Sequence, residues 1–199
     1  MSDALRAFFA VDLSTEARAH ASVSVDCLKA VARHGVRWLS PESLHLTLKF
    51  LGEIREEDVP RLIQRAQAKL SSERPFEVAL AGFGAYPNAR EARMLWQGLG
   101  KGAGALAKLA RKLDSAARAI GAPREHRPFE AHLTLGRLRD PLRIELERAA
   151  APESVAWTVS EVVLYESRLS QTGARYVPLA RLPLGAGGDA DHDDFAPEM

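Results

Sequence analysis

The chain has 199 residues, of which 46% are hydrophobic and 27% charged, and its net charge is +1. That length fits one domain or two small lobes sharing a core, and the composition excludes a chain that is mostly disordered. Five carboxylates and no Lys or Arg fall in residues 185–199, which leaves the remainder at +6, basic enough to favour an anionic ligand and far from a histone-like surface.

The opening stretch, MSDALRAFFAVDL, carries an acid and an arginine and no long apolar run, so neither a secretory signal nor a membrane span is expected there. A cytoplasmic location without membrane association follows as an expectation. Residues 6–13, RAFFAVDL, predict a buried strand, and Ser14 or Thr15 with Glu16 opens a helix to about Arg33, with Gly35 as its stop. Cys27, the only cysteine, reads as part of that helix's apolar face and can form no internal disulfide. VRWL predicts a strand and PESL a turn into a second strand, SLHLTLKF. Val59, Leu62, Ile63, Ala66 and Leu70 then fall at helical spacing, with Pro60 tolerable in the first turn.

Beyond residue 75, FEVALAGFGAYP and RMLWQGL predict two strands joined by the loop NAREA. GLGKGAG lacks the spacing of a phosphate loop and reads as a plain loop. Leu106, Leu109, Ala110, Leu113, Ala117 and Ile120 mark a third helix closed by Gly121; a further strand, EAHLTLGR, follows. A polar helix is expected around Leu142 to Ala150, then strands in AWTVSEVVLYESRL and ARYVPLARLPL. Residues 1–184 are thus expected to form a single bilobal α+β domain, two similar lobes each with a largely antiparallel sheet flanked by helices and a cleft between them. Residues 185–199, rich in Gly and Asp, are expected to be a disordered tail.

HLTL occurs twice, at His45 to Leu48 and at His132 to Leu135. Side chains alternate along a strand, so His45, Thr47 and Lys49 share one face, with Leu44, Leu46, Leu48 and Phe50 on the apolar one; His132 and Thr134 pair likewise over Ala131, Leu133 and Leu135. A single His-x-Thr strand is ordinary. Two copies of matching polarity at similar points suggest two walls of one cleft. Paired imidazoles suit acid–base catalysis near neutral pH, and paired hydroxyls suit the non-bridging oxygens of a phosphate. In-line displacement at phosphorus, with no metal and no cofactor, fits this set. A catalytic zinc wants three protein ligands, and no third His or carboxylate sits at ligand spacing, His126 being reachable only through folding. His20, His34 and His192 read as solvated.

VRWLSPESLHLTLKFLGEI, RPFEAHLTLGRL and EVVLYESRLSQTGARYVPLARLPL resemble the two-histidine phosphoesterase superfamily, in its RNA 2′,3′-cyclic phosphodiesterase or 2′-5′ RNA ligase-like branch, over about Leu5 to Leu184. The resemblance implies a bilobal fold around a water-filled cleft and hydrolysis of a ribose 2′,3′-cyclic phosphate to a 2′-phosphomonoester. It implies His45 as proton donor to the leaving 3′-oxygen, His132 as proton acceptor from water, and Thr47 and Thr134 as phosphate-holding groups. It also implies ATP-independent joining of a 5′-hydroxyl through a 2′-5′ bond. Ala131 stands where the family commonly has Pro, which bears on strand rigidity more than on chemistry.

Among other binding candidates, Arg127 precedes the second strand and Lys49 shares the His45 face, whereas strict alternation turns Arg137 away unless a bulge intervenes. Phe9, Trp38, Phe83, Tyr86 and Trp96 are candidates for stacking a base, most of them expected to be core. The expected partners are RNA ends or small cyclic nucleotides, bound by a monomer. The reading from another class is an RNA-end binding protein with little turnover.

Overall fold

The computed structural model describes residues 4–170 and 173–185. His192 and, from residue 186, the acidic tail lie outside the described residues. Nine strands and three α-helices are found among the described residues: β1 (Ala4–Asp12), α1 (Thr15–Val31), β2 (Val36–Trp38), β3 (His45–Arg55), α2 (Val59–Leu70), β4 (Phe76–Tyr86), β5 (Ala92–Lys101), α3 (Ala103–Ala117), β6 (Leu133–Leu142), β7 (Ala156–Val159), β8 (Glu161–Ser170) and β9 (Gly173–Pro183).

The strands form two sheets, ordered β3-β1-β8-β9 and β2-β6-β5-β4-β7, and every pairing is antiparallel. This is the two-lobed α+β architecture expected, but the lobes are not the two halves of the chain. The first half sends β2 to the second sheet, and the second half returns β8 and β9 to the first. Helices α2 and α3 pack on the first sheet through β9 and β3, while α1 contacts β6 of the second. One continuous apolar cluster joins both lobes, from Phe9 and Leu46 through Leu62 and Leu113 to Leu95, Leu133 and Leu135. Burial of these side chains supplies the main drive for folding.

Local sequence explains most boundaries. Ser14 caps α1 by accepting from the Ala17 amide at 3.1 Å, and Ala17, Ala21, Ser24, Val25 and Leu28 form its buried stripe. GLGKGAG is not a loop. It carries β5 to Lys101 and turns into α3 at Gly102, whose φ of 83° and lack of a Cβ, which would stand 2.5 Å from Val78 Cγ1, make the junction possible. No α-helix forms over 142–150: β6 runs to Leu142, the Ile144 amide donates to Ala89 O at 2.8 Å, and only the short 3-10 turn Leu146–Arg148 remains. AWTVSEVVLYESRL is two strands, broken at Ser160, with β7 on β4 and β8 on β1.

Two side chains differ from expectation in burial. Cys27 is partly exposed at the margin of the α1 stripe. His20 is not solvated: it is half-buried, with Nε2 2.6 Å from Glu153 O, while His34 is exposed as expected.

Candidate active site

On the first sheet, β1 pairs with β3 in a register that sets Asp12 opposite His45, Ala10 opposite Thr47, and then, past an unpaired Leu48, Phe9 opposite Lys49 and Phe8 opposite Phe50. Leu48 is a β-bulge. It reverses the alternation, so Lys49 turns into the core and Phe50 returns to the face that carries His45 and Thr47. Lys49 is therefore not a cleft residue; its side chain is 6% exposed, ion-paired to Asp114 of α3 at 2.8 Å and donating to Pro123 O at 2.9 Å. Phe50, expected in the core, is 62% exposed, beside Phe8.

His45 is held from several sides. Its Nδ1 lies 2.8 Å from Ser43 O. A carbonyl only accepts, so Nδ1 carries hydrogen and Nε2 is left to gain or lose a proton. The Phe8 ring lies 4.8 Å from the imidazole and Tyr176 meets it edge-on at 5.0 Å. Tyr165, opposite Phe8 on β8, donates to Asp12 Oδ1 at 2.7 Å. Arg18 of α1 donates to Pro41 O and, at 3.3 Å, to Leu44 O, pinning the turn that delivers Ser43 and His45. A cavity of about 230 Å³ beside His45 is lined by Asp12, Glu42, Tyr165, Tyr176 and Arg181.

The second sheet repeats the device. Gln97 lies opposite Leu133 and Trp96 opposite Thr134; past an unpaired Leu135, Leu95 lies opposite Gly136 and Met94 opposite Arg137. The bulge falls on the same letter of HLTL in both copies. Here it brings Arg137 onto the face of His132 and Thr134, in the place Phe50 takes on the first sheet. His132 Nδ1 lies 2.8 Å from Glu130 O, again the carbonyl two residues back. Tyr86 meets His132 edge-on at 5.2 Å and donates to the Glu130 carboxylate; burial first, then that carboxylate, push its phenol up to about 12. Trp96 lies 6.0 Å from His132. The Thr134 hydroxyl is 3.5 Å from Met94 Sδ, a weak acceptor that leaves it available to a better one.

Trp96 is laid across Gly84 of β4, where a Cβ would stand 2.1 Å from Trp96 Cζ2. Gly84→Ala is accordingly expected to push the indole off the sheet toward His132, lowering kcat/KM roughly tenfold through misplacement of the site. Tryptophan fluorescence and steady-state kinetics together check this; an unmoved emission spectrum with full activity would show that the ring has room elsewhere.

The two motif strands adjoin, since β3 and β6 are in contact. His45, Thr47, His132 and Thr134 are all half-buried on cleft faces. Burial above all pushes the His45 pKa below the ordinary histidine value, and the charges of Arg137 and Arg18 push the same way, against the Ser43 carbonyl and Asp12. That Arg137, on the other sheet, acts on His45 ties the two walls together. Arg127 is not drawn in: its side chain is 89% exposed and lies 3.5 Å from Glu125 on the loop before His132. Of the stacking candidates, Phe9 is core, Trp38 faces α1 behind the sheet, Phe83 packs against the core, and Tyr86 and Trp96 flank His132. The rings around His45, namely Phe8, Tyr165 and Tyr176, were missed by sequence reasoning.

Two imidazoles, each fixed through Nδ1 and each near a tyrosine whose hydroxyl meets a carboxylate, together with two hydroxyls and an arginine, form an arrangement chemically able to move protons beside an anionic group. The chain belongs to the LigT-like phosphoesterases, whose family pattern matches residues 11–96 and 100–176. A protein of Methanothermobacter thermautotrophicus named RNA 2′,3′-cyclic phosphodiesterase is 35% identical over 180 residues, covering 88% of this chain and 96% of that one. One of the same name from Archaeoglobus fulgidus is 33% identical over 178 residues, covering 88% of this chain and 98% of its own. The crystal structure of E. coli LigT complexed with 3′-AMP matches with a TM-score of 0.74 at 30% identity, over 92% of this chain and 99% of that one.

Proposed function

We propose that this chain is an RNA 2′,3′-cyclic phosphodiesterase that opens the terminal cyclic phosphate to a 2′-phosphomonoester without a metal. The observation that supports it is the duplicated wall: two histidines with the same Nδ1 anchoring, each leading into one of two adjoining strands. His132 Nε2 takes a proton from water as its oxygen attacks phosphorus. The bond from phosphorus to O3′ breaks in line, and His45 Nε2–H delivers its proton to O3′. Thr47 and Thr134 donate to the non-bridging oxygens, and Arg137 offsets their charge. A 5′-hydroxyl in the place of water would give a 2′-5′ bond by the same transfers. Phe50 offers an exposed ring to a base, and Arg127 a contact for longer RNA.

The test is to incubate the protein, with chelator, with adenosine 2′,3′-cyclic phosphate and identify the product. Formation of 2′-AMP supports the reading, 3′-AMP would place the leaving oxygen wrongly, and binding without turnover would favour an RNA-end binding protein.

The acid role asks something of His45. In the free protein burial favours its neutral form, and the acid role calls for the anionic substrate to draw the proton on. Because the folded pKa lies below the unfolded one, the stability tied to His45 is full above the unfolded value and is lost as pH falls through the folded one. NMR titration is expected to place His45 below an ordinary histidine and to raise it when 2′-AMP binds. Asp12→Asn removes a charge that favours the imidazolium, so a donor His45 predicts lower activity at neutral pH, and a faster variant would assign His45 as the base.

A further inference from the structure

The two histidines are not held alike. His45 is the first residue of β3 and stands opposite Asp12 of β1, so the sheet itself fixes its backbone. His132 lies one residue ahead of β6, whose pairing with β5 ends at Leu133 opposite Gln97. No strand or helix forms over residues 121–132, the loop that delivers it. Phe129 and Ala131 pack against the core. Among the described residues, however, a single hydrogen bond joins residues 126–132 to another element: Tyr86, the last residue of β4, donates to the Glu130 carboxylate.

That bond closes a circuit around His132. The Glu130 carbonyl holds Nδ1 at 2.8 Å, the Glu130 carboxylate takes the Tyr86 hydroxyl, and the Tyr86 ring returns edge-on to the imidazole at 5.2 Å. A hydrogen bond at one nitrogen fixes one point of the imidazole, and a second ring packed on it fixes its plane. Trp96 in turn backs Tyr86, its ring 5.3 Å away. With its phenol pushed up to about 12, Tyr86 keeps its proton and remains a donor throughout the neutral range. A hydroxyl bonded to a carboxylate makes a charge-assisted contact, stronger than one between neutral groups.

We propose that Tyr86 and Glu130 are positioning residues acting through His132, clamping its loop to β4 so that Nε2 meets the reacting centre in one orientation. This rests on the cyclic phosphodiesterase reading. Tyr86→Phe, which keeps the ring and removes only the hydroxyl, is expected to lower kcat for adenosine 2′,3′-cyclic phosphate about tenfold with KM little changed, the effect of one lost charge-assisted bond on the aim of a reacting group. Glu130→Ala should do the same. Glu130→Gln, whose amide oxygen still accepts, should recover most of the rate, and Tyr86→Phe/Glu130→Ala should be no slower than either single variant. NMR gives a second readout: the His132 Nδ1–H signal should broaden in Tyr86→Phe and Glu130→Ala and persist in Glu130→Gln, while that of His45 persists in all three. An unchanged kcat or an unchanged His132 signal in Tyr86→Phe would overturn the proposal. So would Glu130→Gln as damaging as Glu130→Ala, or equal broadening at both histidines, which would mark a general loss of structure. If the unmodified protein turns over no cyclic phosphate, the phosphodiesterase reading falls, and the His132 signal alone decides on Tyr86 and Glu130.

Discussion

His45→Ala and His132→Ala are each expected to lower kcat for a 2′,3′-cyclic phosphate by about a thousandfold, the middle of the range for a positioned general acid or base. Both rings are half-buried and their hydrogen bonds to Ser43 O and Glu130 O are local, so neither change removes a long-range tie. Folding, followed by circular dichroism, should survive in both. The two variants should differ in the pH profile of what activity remains, because each leaves the other titrating group in place. A variant that keeps more than about a tenth of its activity would remove that histidine from proton transfer.

The largest stability effect is expected at Lys49→Ala. The Lys49 ammonium is buried between Asp114 and Pro123 O. Removing it leaves a carboxylate, 17% exposed, whose remaining donor among the described residues is the Glu125 amide at 3.0 Å. Breaking such a pair costs about 3 kcal/mol, at the lower end of the range because Asp114 keeps some solvent. In a domain of this size that is a fall in Tm of about 10 °C. Burial disfavours the charged form of Asp114, but Lys49 and the Glu125 amide outweigh it and hold the pKa below the ordinary value. The stability so gained is present above the unfolded pKa and is lost as pH falls through the folded one, so unmodified protein and variant should converge in acid. Thermal melts at neutral and acid pH check this. A variant as stable as its parent at neutral pH, or equally weakened at every pH, would contradict it. Replacing both partners, as Lys49→Met with Asp114→Leu, should restore most of the loss.

Lys49 also marks where the sequence ceased to be readable. The helices were legible because Ser14, the spacing of Leu62, Ala66 and Leu70, and Gly121 are local signals. The face that each histidine shares with its threonine was legible because both precede the bulge in each strand. Strict alternation then placed Lys49 in the cleft and Phe50 in the core, and the structure exchanges them, because Leu48 adds one residue that only the partner strand can count. The same extra residue at Leu135 returns Arg137 to the site. The bulge at Leu48 needs no Gly or Pro, and HLTLKF gives no local sign of it, whereas Gly136 in HLTLGR is a local sign of the second. Phe8, Asp12, Tyr165 and Tyr176 were missed for a related reason. Their place beside His45 depends on β8 and β9 returning to the first sheet across most of the chain. The helix expected near Leu142 failed because a tertiary hydrogen bond, Ile144 N–H to Ala89 O, outweighed a polar helical pattern.

The central claim is that His45 and His132 serve one displacement as a unit, and the double variant tests it most directly. Groups acting in the same step are strongly non-additive, so removal of the second should cost little once the first is gone. We expect His45→Ala/His132→Ala to turn over adenosine 2′,3′-cyclic phosphate at nearly the rate of either single variant. Losses that multiply, with the double variant slower than each single one by the full factor of the other, would mean two independent contributions and would contradict the account.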